Sequence, residues 1–168
     1  MLGWYRKKGT RGVKESTLQQ MVKIYRDYLG DALSSIVLFG SHARGEAKET
    51  SDYDLLIIAE RLPAKPVKRI LFIRAPLKGQ FDERFSIVAK TPEEMTDHFP
   101  SFFLDLGVDG IILFDRGHFF KNLQVEIREI IKKAGLQRKR WDGEFYWEWQ
   151  TPPQRGWEIT WDGYRALS

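Results

Sequence analysis

One stretch constrains this chain more than any other: "IVLFGSHARGEAKETSDYDLLII", Ile36 to Ile58. An apolar strand pattern runs into Gly40 and Ser41. After a short polar spacer, a second apolar strand opens with Asp52 and Asp54. Residues i and i+2 of a strand project from one face, so the two carboxylates stand side by side, roughly 7 Å apart at Cα. Like charges that close repel each other. A fold tolerates them where water solvates the pair or a cation sits between them.

The flanking sequence supplies a frame for this element. Ser16 is the expected N-cap of a helix over "TLQQMVKIYRDYLG", with Leu18, Met21, Val22, Tyr25 and Leu29 on one stripe and Gly30 at its end. "SIVLFG" and "YDLLIIAE" read as strands, the second apolar enough to be buried on both faces. "SHARGEA" leaves room for one or two helical turns. A short helix is expected over Val67–Arg74, then a third strand, "RFSIVAK". "TPEE" is a helix start: Thr91 as cap, proline at the first position and acids in the first turn. "FFLDLGVDGIILFD" reads as helix, glycine turn and strand. "FKNLQVEIREIIKKAG" is a strong amphipathic helix, with Leu123, Ile127, Ile130 and Ile131 on one stripe and Gly135 as its stop. Beyond it, "FYWEW" and "WEITW" alternate apolar with polar around "QTPPQRG", the pattern of a hairpin with a long loop. Its aromatic stripe reads as core first and as a base-stacking surface second.

A strand, Gly-Ser and a short helix expose backbone N–H groups that suit a phosphate, and the Ser41 hydroxyl adds a donor. Asp52 and Asp54 offer hard oxygen ligands that suit Mg²⁺. One part would grip a triphosphate while the other holds the metal that polarises it, as in-line nucleotidyl transfer requires.

On these residues the chain resembles the DNA polymerase beta-like nucleotidyltransferase superfamily. "GSHARGE" is closest to its small prokaryotic branch, the minimal nucleotidyltransferases similar to kanamycin nucleotidyltransferase. The resemblance is close over Ile36–Ile58 and looser to about Phe99. It implies an α/β (α+β) fold, a short mixed β-sheet flanked by helices, here carrying a C-terminal aromatic β-hairpin. It also implies a nucleoside triphosphate donor, ATP by preference, with Mg²⁺ or Mn²⁺. By position, Gly40 and Ser41 match the phosphate-binding pair, and Asp52 and Asp54 match the catalytic metal ligands. Arg44 is a candidate nucleotide contact, with a surface ion pair as the alternative.

The pattern breaks at the third strand. The resemblance implies that active members of the superfamily carry a third carboxylate there, which helps hold the catalytic metal and can draw the proton from the acceptor hydroxyl. Aligned on the helix start at Thr91, that position falls on Ser86. Asp82 is the nearest acid on the same face, but four residues upstream is roughly 13 Å along a strand. Glu83 would point to the opposite face.

Composition narrows the rest. The net charge of +4 sits in the first fourteen residues, which carry Arg6, Lys7, Lys8, Arg11 and Lys14 and no acid. Zero cysteines exclude thiolate catalysis and cysteine–zinc sites. His42, His98 and His118 show no ligand spacing and read as surface or hydrogen-bonded residues. No apolar run approaches a membrane span and the N-terminus lacks a signal-peptide core, so a cytoplasmic location is expected.

The expected organisation is a basic arm over residues 1–15, a nucleotidyltransferase core over 16–115, and a helix and tryptophan-rich extension over 116–168. The expected activity is Mg-dependent transfer of a nucleoside monophosphate to an acceptor hydroxyl on a protein, small molecule or RNA, slowed by the missing acid. Two other readings stay open. One is a non-catalytic, antitoxin-like module that binds nucleotide or a separate helical protein. The other is an RNA-binding adaptor built on the basic arm and tryptophans.

Overall fold

A computed structural model describes residues 15–151 and 157–166. The basic arm therefore lies outside the described residues, apart from Glu15. Helix α1 (Glu15–Leu29) already includes Ser16, so Ser16 is inside the helix rather than its cap. A 3-10 turn follows, then β1 (Leu33–Phe39), α2 (Gly40–Arg44) and β2 (Tyr53–Ala59). Next come α3 (Pro66–Arg74), β3 (Phe85–Lys90), α4 (Pro92–Thr96), α5 (Phe102–Asp109), β4 (Ile111–Asp115) and α6 (Phe119–Lys133). Four short strands complete the described residues: β5 (Leu136–Trp141), β6 (Glu144–Trp149), β7 (Trp157–Thr160) and β8 (Gly163–Ala166).

The central sheet has the order β3-β2-β1-β4, with β2 and β3 parallel and the other pairs antiparallel. It is the mixed sheet flanked by helices that the motif implied. Its middle strands are buried on both faces, and strand alternation sorts their side chains. Ile36, Leu38, Leu55 and Ile57 pack with Leu18, Met21 and Tyr25 of α1 and Ile73 of α3. Val37, Leu56 and Ile58 pack with Met95, Phe103, Leu106, Phe120, Leu123 and Ile127 on the other side. The sheet is thus the middle of three layers. Each apolar stripe read from α1 and α6 faces it.

Local signals place the helix ends. Thr91 caps α4 in a full capping box: its hydroxyl accepts from Glu94 N, and Glu94 Oε2 accepts from Thr91 N. Asp115, at the end of β4, accepts from the backbone N–H of Phe120 and Lys121 and so satisfies the first turn of α6. No described helix is long and apolar enough to cross a membrane.

The C-terminal pairing differs from expectation. "FYWEW" and "WEITW" are not partners. Strand β6 pairs with β5 across Asp142-Gly143, and β7 pairs with β8 across Trp161-Asp162, in separate two-stranded sheets. The reason is turn chemistry. Asp142 and Gly143 both have positive φ, 50° and 84°, the tight turn whose twist matches paired strands. "WDG" occurs at Trp141 and again at Trp161. Both turns outcompete a loop that contains two prolines. The aromatic hairpin is β5–β6, and Trp147 and Trp149 of its stripe, with Ile159 of β7, pack with Leu104, Ala134 and Leu136, while Phe145 lies under Arg44, Arg138 and Arg140.

Candidate functional site

Strand β1 ends at Phe39, whose register partner on β2 is Asp54, so the Gly40-Ser41 turn emerges beside the aspartate pair. Gly40 has φ +69°, and a Cβ added to it would collide with the Asp54 carboxylate, whose Cγ would lie 2.9 Å away. Glycine is needed twice here: for its backbone angle and for the close approach of Asp54. Gly45 in the left-handed region closes the single turn of α2. Gly40, Ser41, Asp52 and Asp54 therefore meet at one end of the sheet.

His42 fixes the geometry between turn and strand. It is 5% exposed and stacks on Tyr53, the residue between the two aspartates, at 3.9 Å between centroids. Its Nε2 lies 3.2 Å from the Ser51 carbonyl, so the imidazole links α2 to the residue before Asp52. The hydrogen-bonded reading of this histidine holds.

The two aspartates have different surroundings. Asp54 is half-buried, and burial pushes its carboxyl above the ordinary carboxylate value. A hydrogen bond to Ser86 and the charges of His42 and Arg44 oppose that rise, while Asp52 adds to it. On Asp52, Oδ1 lies 2.9 Å from Arg84 Nε as an ion pair. The contact lacks hydrogen-bond alignment, and Oδ1 is a buried oxygen with no hydrogen-bond partner. A carboxylate oxygen left in that state is suited to a cation.

Strand β3 runs parallel to β2 with Ser86 opposite Asp54. The third position of the motif therefore carries a hydroxyl. Asp82 is exposed and precedes β3, off the strand altogether, while Glu83 accepts from the Thr17 hydroxyl. Among the described residues no set of three histidines or acids is grouped to hold a metal. The donor set at this site is two carboxylates and the Ser86 hydroxyl.

Arg44 points toward the C-terminal hairpin. Its Nε donates to Glu46 Oε2 at 2.9 Å, its Nη1 lies 3.9 Å from Asp109, and its guanidinium stands 5.1 Å from the Phe145 ring centre. Glu46 also accepts from Arg140 of β5 at 3.0 Å, and the Arg44 hydrogen bond holds its carboxyl below the ordinary value. Arg138 grips Asp109 with both terminal nitrogens, and Trp147 Nε1 donates to Asp105. Sequence reasoning missed this network and Arg84. Its one visible signal was Asp105 and Asp109, four apart on an otherwise apolar helix.

The sequence model of the "Nucleotidyltransferase domain" family matches residues 18–142. The chain belongs to this family. A Methanocaldococcus jannaschii protein named "Putative protein adenylyltransferase MJ1305" is 33% identical over 121 residues, 69% of this chain and 82% of that protein. Another from the same organism, "Putative protein adenylyltransferase MJ0141", is 33% identical over 66 residues, 39% of this chain and 67% of that protein. The nucleotidyltransferase domain also shares its fold with the solved structure "Crystal structure of the toxin-antitoxin with AMP-PNP". The two match at TM-score 0.52 and 18% identity, over 69% of this chain and 87% of that one. Nucleoside monophosphate transfer is the general activity of such a domain.

Proposed function

We propose that this nucleotidyltransferase domain transfers AMP from ATP to a hydroxyl on a protein, at the Gly40-Ser41 turn and the Asp52–Asp54 pair. The observation that carries this reading is the contact between Gly40 and Asp54, with no room for a side chain, beside Asp52, whose Oδ1 has an ion pair with Arg84 but no hydrogen bond. Adenylyl as the group and protein as the acceptor are supported by the names of the two relatives, and a nucleoside triphosphate donor by the AMP-PNP of the fold neighbour.

Asp52 and Asp54 fit a divalent cation by chemistry, and Mg²⁺ or Mn²⁺ is the one this donor set suits. When bound, it neutralises the triphosphate and polarises the α-phosphoryl group. Gly40 lets the turn approach Asp54, and Ser41 offers its hydroxyl and backbone N–H to the β- and γ-phosphates. Arg84 holds Asp52 against β3, and His42 fixes the spacing between turn and carboxylates. The acceptor oxygen then bonds to the α-phosphorus, its bond to pyrophosphate breaks, and the acceptor proton leaves to solvent. Ser86 cannot take that proton at neutral pH, so the step proceeds without an adjacent carboxylate base.

That last point also favours a second reading: nucleotide binding without turnover, in a module whose task is to engage a partner protein. The fold neighbour is a toxin–antitoxin complex, which supports it. The two separate in one experiment. ATP labelled on the α-phosphate should mark an acceptor protein in a lysate and release pyrophosphate, with γ-labelled ATP marking nothing. Loss of the mark in Asp52→Asn assigns it to this site. Metal-dependent binding with no mark supports the second reading.

A further inference from the structure

Helix α3 is apolar on two sides. Its inner side is accounted for: Ile73 is 2% exposed, Tyr25 donates its hydroxyl to the Ile73 carbonyl, and Arg69 is held by Pro63 O and Glu94. Its outer side carries Val67, Ile70 and Leu71, which are 70%, 53% and 67% exposed. These three follow i, i+3 and i+4 spacing, so they form one ridge on the helix surface. Phe72 lies on another side of the helix, where Tyr28 of α1 covers it by a ring contact, so the ridge is formed by these three residues alone. Scattered exposed aliphatics are ordinary, but a contiguous ridge on one short helix marks a contact surface.

Charge decides what covers it. Between Arg61 and Phe81 the chain has Arg61, Lys65, Lys68, Arg69, Arg74 and Lys78, and no acid. Arg69 pairs with Glu94 and Arg74 donates to the Phe85 carbonyl. Lys65, Lys68 and Lys78 are exposed and pair with no carboxylate among the described residues. A second copy across a two-fold axis would set this basic surface against itself. Residues 1–14 carry five cations and no acid, so they too are repelled. A membrane-lying helix keeps cations on the face opposite its apolar one and is typically longer. Here the opposite face is packed into the protein.

We propose that α3 docks an amphipathic helix of a partner protein, whose apolar stripe covers Val67, Ile70 and Leu71 and whose flanking acids meet Lys65, Lys68 and Lys78. The ridge spacing suits a helix laid across it. The surface lies on the α1 side of the sheet, whereas Asp54 shares its face with Leu56 and Ile58 on the opposite side. Docking therefore leaves the aspartate pair open, and the proposal stands whether or not the domain turns over ATP.

The test uses the full chain and two synthetic helical peptides with the same leucine stripe, one flanked by glutamates and one by lysines. The glutamate peptide should bind and weaken as salt rises, and the lysine peptide should not bind. Leu71→Glu should lower affinity for the glutamate peptide about tenfold or more, as loss of a central apolar anchor does, with an unchanged melting temperature. Ile70→Glu is the second variant and should behave alike. Equal affinity in both variants would overturn the proposal. So would a concentration-dependent dimer, or binding to phosphatidylserine vesicles or single-stranded RNA, that Leu71→Glu abolishes.

Discussion

The β1–α2–β2 element and the β5–β6 hairpin both end at the same cluster of arginines and acids, yet they are held in opposite ways. The first is fixed from within. Its strands are buried on both faces, and its turn is packed so closely on Asp54 that only glycine fits. The second is fixed from outside, by Arg138 and Trp147 reaching Asp109 and Asp105 and by Arg140 reaching Glu46. Damage to the first should therefore appear as lost chemistry. Damage to the second should appear as lost stability, with the donor site spared.

The largest expected effect lies at Ser86. If the β2–β3 pairing has brought the third position beside Asp54 and only its carboxylate is wanting, Ser86→Asp should raise pyrophosphate release. General-base assistance is worth about 10²–10⁴-fold. Assay with Mg²⁺ and with Mn²⁺ would show it, and Asp82→Asn should leave the rate unchanged because Asp82 is off the strand. A wild-type rate that collapses in Asp82→Asn would contradict this placement.

Next comes Gly40→Ala. The added methyl meets Asp54, so turn and carboxylate must separate; a misplacement on the order of 1 Å costs about 10²-fold in transfer. The hairpin variant sharpens the contrast. Trp147→Ala should lower stability by about 3 kcal/mol, the low end for deleting a buried indole, because Trp147 is only partly buried. Its Mg-ATP affinity should match wild type. If denaturation shows no loss while nucleotide binding falls, the hairpin belongs to the donor site and the contrast fails.

The smallest effect is a pH dependence. Burial raises the Asp54 carboxyl above its unfolded value. A raised carboxyl adds stability that is full below the unfolded value and lost as pH rises through the folded one. Without metal, Asp54→Asn should thus be slightly more stable than wild type near neutrality. The gap should close as pH falls into the carboxylate range, as urea melts across that range would record.

These residues also show what sequence can and cannot carry. The placement of Gly40 beside Asp54, and of Ser86 opposite it, was legible because chemistry and strand period act over a few neighbours. The core stripes of α1 and α6 were legible for the same reason. Pairing at the C-terminus was not, because "FYWEW" fits several partners equally well by alternation. The choice fell to the Asp142-Gly143 turn, a signal that was present in the sequence but outweighed by the proline-rich loop. Arg84 on Asp52 and Arg140 on Glu46 could not be read at all, since residues 32 and 94 positions apart meet only once the sheet has formed.

The central claim is that the Gly40-Ser41 turn and the aspartate pair form a complete donor site even though Ser86 stands in the third position. Calorimetric titration of wild type, Ser86→Asp and Asp54→Asn with a nonhydrolysable ATP analogue, with and without Mg²⁺, tests it most directly. Wild type and Ser86→Asp should bind in a metal-dependent way, and Asp54→Asn should lose at least about tenfold in affinity, or ~1.4 kcal/mol. Metal-dependent binding that is unchanged in Asp54→Asn would contradict it.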